Sequence, residues 1–209
     1  MLSVHLIERH FRTRRFEPLL EALASNGLLL PLPLRVRLSQ HPSCIVALAL
    51  RRLTDLAYSP TPVSHDMTRF LLDEQDQDGS WHGDPLATAI VLVALTQAGG
   101  DAFAGPDVAV AMAAERAQAA LAAMQDSAGL FFAADDRTEQ DQALTAAYIL
   151  ALLNRDADFR AAVRYADLMN YFESRADRLE PDTHTLFHLA QLDEPAIASP
   201  NRALAAIAA

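Results

Sequence analysis

Several residue types are scarce or missing in this 209-residue chain, and each scarcity excludes a structural feature or a class of function. The single cysteine, Cys44, rules out an internal disulfide and favours a reducing compartment. Lysine is absent, so arginine supplies all 17 basic side chains, and the 27 acidic ones leave a net charge of −10. Because proteins bind nucleic acid by neutralising its phosphates with basic side chains, this balance excludes a general nucleic-acid binder.

Long apolar runs are also missing, although hydrophobic residues make up 51% of the chain. No stretch of about 18 uninterrupted apolar residues is present, so we predict no transmembrane segment. The N-terminal sequence MLSVHLIERHFRTRR lacks the basic region followed by an apolar run that marks a signal peptide. We therefore expect a cytoplasmic protein with a substantial core.

Four short apolar segments repeat along the chain. Aligned on a small polar residue, each carries leucine at its eighth position: SCIVALAL at 43–50, TAIVLVAL at 88–95, TAAYILAL at 145–152 and TLFHLAQL at 185–192. They are nearly apolar on every face, which is typical of a helix that is buried all round. Their alanine content and their length favour helix over strand.

A more amphipathic segment precedes each apolar one, at about 2–25, 62–77, 107–126 and 157–177. In VAVAMAAERAQAALAAM, apolar residues recur every three or four positions, as in a helix with one wet face. We therefore predict one all-α domain in which an outer amphipathic helix, a turn and an inner apolar helix occur four times. The repeats span about 1–55, 56–100, 101–155 and 156–209, and the tail SPNRALAAIAA is a candidate fifth outer helix.

One motif joins an outer segment to an inner one and occurs twice. The sequence FLLDEQDQDGSW at 70–81 contains Gln75, Gly79 and Trp81, and ALAAMQDSAGLF at 120–131 has their counterparts 50 positions later, namely Gln125, Gly129 and Phe131. The first repeat retains only Leu19 and Gly27. Glycine tolerates the positive φ that a reversing helix requires, and an aromatic two residues later can fold back over the turn.

This spacing resembles the Gln-Trp motif of squalene and hopene cyclases. The chain is thus similar, most clearly over 62–152, to the α/α-toroid superfamily of terpenoid cyclases and protein prenyltransferase β subunits. The resemblance implies that Gln75 and Gln125 bond to backbone at a neighbouring helix end, while Trp81 and Phe131 stack on them. Such rings usually contain five to seven helix pairs. Four pairs therefore imply an incomplete ring, or one that a second copy of the chain or a partner subunit completes.

The same resemblance implies an apolar central cavity that takes a hydrophobic small molecule such as an isoprenoid. The inner helices would begin at one mouth of this cavity, where helix N-termini attract anions. Candidate ligand-binding residues at the mouth are Cys44, Asp84, Thr88, Thr145, Tyr148, Asp182 and Thr185. For Asp84, which precedes a proline, and for Asp141, which lies at the same offset before the repeat threonine, helix capping is the alternative interpretation.

Candidate catalytic and metal-binding residues are Asp141, His184 and His188. In prenyltransferase β subunits, zinc is held by Asp, Cys and His at set positions of these repeats. Asp141 and His184 match the first and last of them, whereas Ala143 occupies the cysteine position. His188 lies one turn after His184 and is the candidate replacement ligand. The resemblance thus implies a divalent metal, zinc or magnesium, or acid–base chemistry; a hydrogen-bonded polar cluster is the alternative.

Two functions from different classes remain open. One is a terpenoid-cyclase- or prenyltransferase-like enzyme that acts on a hydrophobic substrate. The other is a non-catalytic, degenerate toroid that serves as a binding or scaffold protein. The missing cysteine ligand favours the second, as does the absence of the Asp-x-Asp-Asp stretch of protonating cyclases. DDRTE at 135–139 has the form of a magnesium–diphosphate motif, and arginines crowd the first outer segment, but an exposed loop and a solvated helix face explain both features.

Overall fold

The computed structural model describes residues 3–26, 30–58, 61–98, 107–133 and 138–192. Within these ranges the regular secondary structure is helical, and extended backbone pairs only at an isolated antiparallel bridge between Gln125 and Phe131. The all-α prediction is therefore confirmed. Gly27, most of the DDRTE sequence and the tail from 193 onward lie outside the described residues.

In chain order the described helices are α1 (Val4–Arg12), α2 (Phe16–Ala24), α3 (Leu32–Leu38), α4 (Pro42–Asp55), α5 (Pro62–Asp73), α6 (Pro85–Ala98), α7 (Val108–Ala123), α8 (Glu139–Leu153), α9 (Ala157–Ala162), α10 (Tyr165–Ser174) and α11 (Pro181–Gln191), with a 3₁₀ turn at Ala176–Arg178. Four of them begin with proline, whose fixed φ and missing N–H suit the first helical position. None of these described helices has the length and hydropathy needed to cross a bilayer.

Contacts between residues group the chain into two compact units. The first comprises Met1–Gln75 and Ile90–Ala114, and the second comprises Asp76–Ala89 and Glu115–Ala209. Two of the three boundaries fall inside α6 and α7, so each of these helices contributes residues to both units, and the third lies between Gln75 and Asp76. The single domain and the α/α-toroid arrangement, a partial or small ring, stay predictions.

In the first unit, α4 is the central helix. It contacts α1, α2, α3 and α5. It is buried continuously from Ser43 to Leu50 and again at Leu53. This all-round burial is what the apolar sequence SCIVALAL predicts, because a helix without a polar face has no side to turn to water.

In the second unit, α8 packs against α11. Helix α8 is buried from Ala143 to Leu150, as its sequence predicts. Helix α11 differs, because it buries one side only and exposes His184 and His188 on the other. The fourth apolar segment is therefore amphipathic in the structure, with His188 and Gln191 exposed.

Two of the four predicted outer segments are each divided into two helices. The segment 2–25 breaks between α1 and α2 at Arg14, which has φ of 55°. The Arg14 guanidinium lies 4.8 Å from the centre of the Phe70 ring, a cation–π contact that holds this turn. The segment 157–177 breaks between α9 and α10, where Val163 is extended. Helices α5 and α7 lie within the predicted segments 62–77 and 107–126.

Candidate functional site

The two glutamine–glycine–aromatic loops share their backbone hydrogen bonds. In the first loop the Asp76 N–H donates to the Ser80 carbonyl at 2.9 Å, and the Gly79 N–H donates to the Asp76 carbonyl at 3.0 Å. The same two bonds recur 50 positions later, at 2.9 and 3.2 Å. Gly79 and Gly129 both have positive φ, 89° and 81°. The repeat in sequence is therefore also a repeat of one turn geometry.

Each motif glutamine bonds to backbone of the following outer helix. The Gln75 Nε2 donates to the Ala113 carbonyl of α7 at 2.9 Å. The Gln125 Oε1 accepts from the N–H of Arg164, which precedes α10, at 2.6 Å, and its Nε2 donates to the Gly129 carbonyl at 2.7 Å. Both glutamines thus tie a loop to the next predicted outer segment, past the inner helix that lies between them in the chain.

The motif aromatics, Trp81 and Phe131, are fully buried. The Phe131 ring stacks on Phe159 of α9, with 6.4 Å between the ring centres. The Trp81 backbone N–H donates to the Thr88 hydroxyl of α6 at 3.1 Å. Both residues therefore cover their turn with apolar area, and neither is exposed to a ligand.

Asp84 and Thr88, two predicted ligand-binding residues, hold the start of α6. The Asp84 Oδ1 accepts from the N–H groups of Leu86 and Ala87 at 2.7 and 3.0 Å. The Thr88 hydroxyl donates to the Asp84 carbonyl at 2.8 Å. Both side chains are buried. Asp84 is thus a helix cap, since it satisfies N–H groups that have no partner inside the helix.

Asp141 takes part in a capping box at the start of α8. Its Oδ2 accepts from the Thr138 N–H at 3.0 Å and from the Thr138 hydroxyl at 2.9 Å, and the Thr138 hydroxyl accepts from the Asp141 N–H at 3.1 Å. His184 and His188 lie on the exposed side of α11. Within the ranges that the structure describes, no three His, Cys, Asp or Glu side chains are arranged to hold a metal ion. The structure therefore does not gather these three residues into a metal centre.

The other predicted ligand-binding residues lie at separate places. Cys44 is buried in α4 of the first unit, while Thr145 and Tyr148 are buried in α8 of the second. Asp182 is exposed in the first turn of α11. The Thr185 hydroxyl, one turn further, donates to the Pro181 carbonyl at 2.8 Å. The inward-facing threonine of α11 is Thr183, which the repeat alignment did not single out.

A pocket of about 270 Å³ opens in the second unit, where α8 and α11 begin. Its walls come from the first turns of these two helices, the end of α10 and the segment that leads into α11. The lining residues are Glu139, Gln140, Ala143, Tyr171, Arg175, Arg178, Leu179, Glu180 and Thr183. The pocket thus lies at the N-terminal ends of two predicted inner helices, but its residues are not the predicted ones.

Glu139, Tyr171 and Arg175 form a connected group in this pocket. The Tyr171 hydroxyl donates to the Glu139 Oε1 at 3.0 Å. The Arg175 guanidinium lies 4.3 Å from the centre of the Tyr171 ring, and its Nε lies 3.7 Å from the Glu139 Oε1. Burial, together with the hydrogen bond to Glu139 and its charge, raises the pKa of Tyr171 to about 12. Tyr171 is therefore a neutral hydrogen-bond donor near pH 7 and is unsuited to act as a base.

Arg178 and Glu180 supply the remaining charges of the pocket. The Glu180 Oε1 accepts from the Gln140 amide, a neutral group, at 3.3 Å. Within the described part of the chain, neither Arg178 nor Glu180 takes part in an ion pair. Among the described residues, Arg178 and Glu180 are thus a cation and an anion of this pocket that form no ion pair.

Sequence reasoning missed the charged residues of this pocket. Tyr171 and Glu139, which share a hydrogen bond, are 32 positions apart in the chain. The available signal was the dense charge of ESRADRLEP at 173–181, directly before an inner helix. A charged stretch at that point predicts a polar surface, but it does not show which distant residues face it.

Comparison of the chain with protein-family models, with curated proteins and with solved structures found no match in any of the three. The likeness to the α/α-toroid superfamily therefore rests on the motif residues and stays a prediction.

Proposed function

We propose that this chain is a non-catalytic, α/α-toroid-like protein that binds a small molecule with an anionic group in the pocket where α8 and α11 begin. The main support for this proposal comes from Arg178. Its guanidinium lines a pocket of about 270 Å³ and forms no ion pair with the described residues. A guanidinium presents five N–H donors in a planar fork that matches the oxygens of a carboxylate or phosphate.

The size and the lining of the pocket support a small ligand. Its volume is close to the lower end of the roughly 300–1,000 Å³ that is usual for ligand pockets. Ala143, Leu179 and the Tyr171 ring offer apolar contact beside the charged groups.

The environments of the predicted catalytic residues favour binding over catalysis. The carboxylate of Asp141 is engaged in the capping box, and both histidines lie on the exposed side of α11. Tyr171, with its raised pKa, stays neutral. We therefore prefer the binding alternative. An isoprenoid ligand, a bound metal, a second copy that completes a ring and a cytoplasmic location all stay predictions.

Replacement of Arg178 by glutamine tests the proposal. Short-chain carboxylates and alkyl phosphates would be titrated into the purified chain by calorimetry. We expect at least one of them to bind, and Arg178→Gln to weaken that binding about tenfold or more, because a charged hydrogen bond contributes about 1.5–3 kcal/mol.

Arg160→Gln is the matched control, since Arg160 is also exposed in the second unit but does not line the pocket. It should leave the affinity unchanged. Equal affinity in wild type and Arg178→Gln, or the absence of binding by every compound with an anionic group, amino acids included, would contradict the proposal.

A further inference from the structure

We propose that the ligand is a zwitterion of the α-amino acid class with a compact apolar side chain. This inference rests on the proposed function and makes it specific. Four charged side chains line the pocket, two of each sign: Glu139, Glu180, Arg175 and Arg178. A pocket with balanced charges is a poor match for a ligand that carries only one sign of charge.

The four charges divide into a neutralised pair and an open pair. Glu139 and Arg175 face each other, with 3.7 Å between their closest atoms, and both also contact Tyr171. Arg178 and Glu180 have no ionic partner among the described residues. A carboxylate bound to Arg178 would still lie near the uncompensated carboxylate of Glu180. An ammonium group on the same ligand removes this repulsion and turns it into attraction.

The spacing of the open pair fits charges that are close together on the ligand. Arg178 and Glu180 are separated by one residue, Leu179, and two residues of chain span at most about 7 Å. Their backbones therefore belong to one short stretch of the pocket wall. In an α-amino acid the ammonium and carboxylate groups share one carbon atom. Such a ligand is therefore better suited to pair with both Glu180 and Arg178 than a ligand whose charges are widely spaced.

The rest of the lining suits an apolar side chain. Leu179 lies between the two open charges in the sequence, and Ala143 and Tyr171 line the same cavity. Tyr171 donates its hydroxyl to Glu139 and has the Arg175 guanidinium over its ring, so it contributes to the pocket wall as a neutral, largely buried side chain. Such contacts favour aliphatic or small aromatic side chains over charged ones.

The test compares amino acids with analogues that lack one charge. Alanine, valine, leucine, methionine and phenylalanine would each be titrated beside the corresponding acid without the amino group and the corresponding amine without the carboxylate. We expect at least one amino acid to bind at least tenfold more tightly than both of its analogues. Glu180→Gln should abolish the preference for the amino acid over the acid. Arg178→Gln should lower the affinity for the amino acid and for the acid by the same factor.

Glu173→Gln is the control, because Glu173 is exposed in α10 and does not line the pocket. If an acid without an amino group binds as tightly as the amino acid, and does so through Arg178, the zwitterion inference is wrong and the proposed function stands. If Glu180→Gln keeps the preference, the inference is also wrong. If no acid and no amino acid binds, both proposals are wrong.

Discussion

Gly79 and Gly129 are each subject to two constraints, a positive φ and close contact with neighbouring backbone. Each has a positive φ, and each lies against backbone of the second unit. A Cβ atom on Gly79 would lie 2.5 Å from the carbonyl oxygen of Arg116, and one on Gly129 would lie 2.6 Å from the nitrogen of Leu168. Gly83 has φ of 60° but open space around it, so only the first constraint applies there.

Alanine substitutions separate these two constraints. Gly83→Ala should cost about 1 kcal/mol, the strain of a left-handed residue with a side chain. Gly79→Ala and Gly129→Ala should each cost about 3 kcal/mol or more, because overlap with fixed backbone adds to that strain. Urea denaturation measures all three. Similar losses at the three sites would mean that close approach to the neighbouring helix contributes nothing.

At the scale of helices, equal positions in the repeat have acquired different roles. Asp84 and Asp141 both lie four residues before the repeat threonine. However, α6 begins at Pro85 and α8 begins at Glu139, one turn earlier relative to that threonine. Asp84 therefore caps its helix from outside, while Asp141 lies inside the first turn and bonds back to Thr138. Sequence alignment predicts the offset, but it does not predict where each helix starts.

The Asp84 cap makes a prediction about the start of α6. Asp84→Ala should lower the free energy of unfolding by about 1–2 kcal/mol, since two N–H groups lose their acceptor. Asp84→Asn should cost less than half as much, because the amide oxygen can accept from the same two groups. Asp182→Ala, in the exposed first turn of α11, serves as the control and should change stability little. A loss for Asp84→Asn as large as that for Asp84→Ala would show that the negative charge, rather than the acceptor, is required.

At the scale of the whole molecule, the sequence predicts those features that depend on residues close together in the chain. Apolar repeats and glycine spacing are read along the chain, and they predicted the helical class and the two equivalent turns. Helix α3 and the break at Val163 were not predicted. The break at Arg14 was not predicted either, because Arg14 contacts Phe70, which is distant in sequence. The pocket was missed for the same reason, since its walls come from α8, α10 and α11 and share no motif.

The whole chain should unfold in one transition, because two of the three boundaries between the two units fall inside α6 and α7. Neither unit can unfold alone without melting part of a helix that continues into the other, and helices melt cooperatively. Trp81, the single tryptophan, belongs to the second unit and reports on it by fluorescence, while circular dichroism reports on all helices. We expect the two signals to change together in urea.

Core substitutions in each unit make this prediction decisive. Leu50 in the first unit and Leu150 in the second are both fully buried, so replacement by alanine should cost about 2–5 kcal/mol at either site. With a single transition, Leu50→Ala lowers the midpoint of Trp81 fluorescence as much as it lowers that of circular dichroism, although Leu50 and Trp81 belong to different units. If Leu50→Ala leaves the fluorescence midpoint unchanged while Leu150→Ala shifts it, the units unfold independently and the shared helices do not couple them.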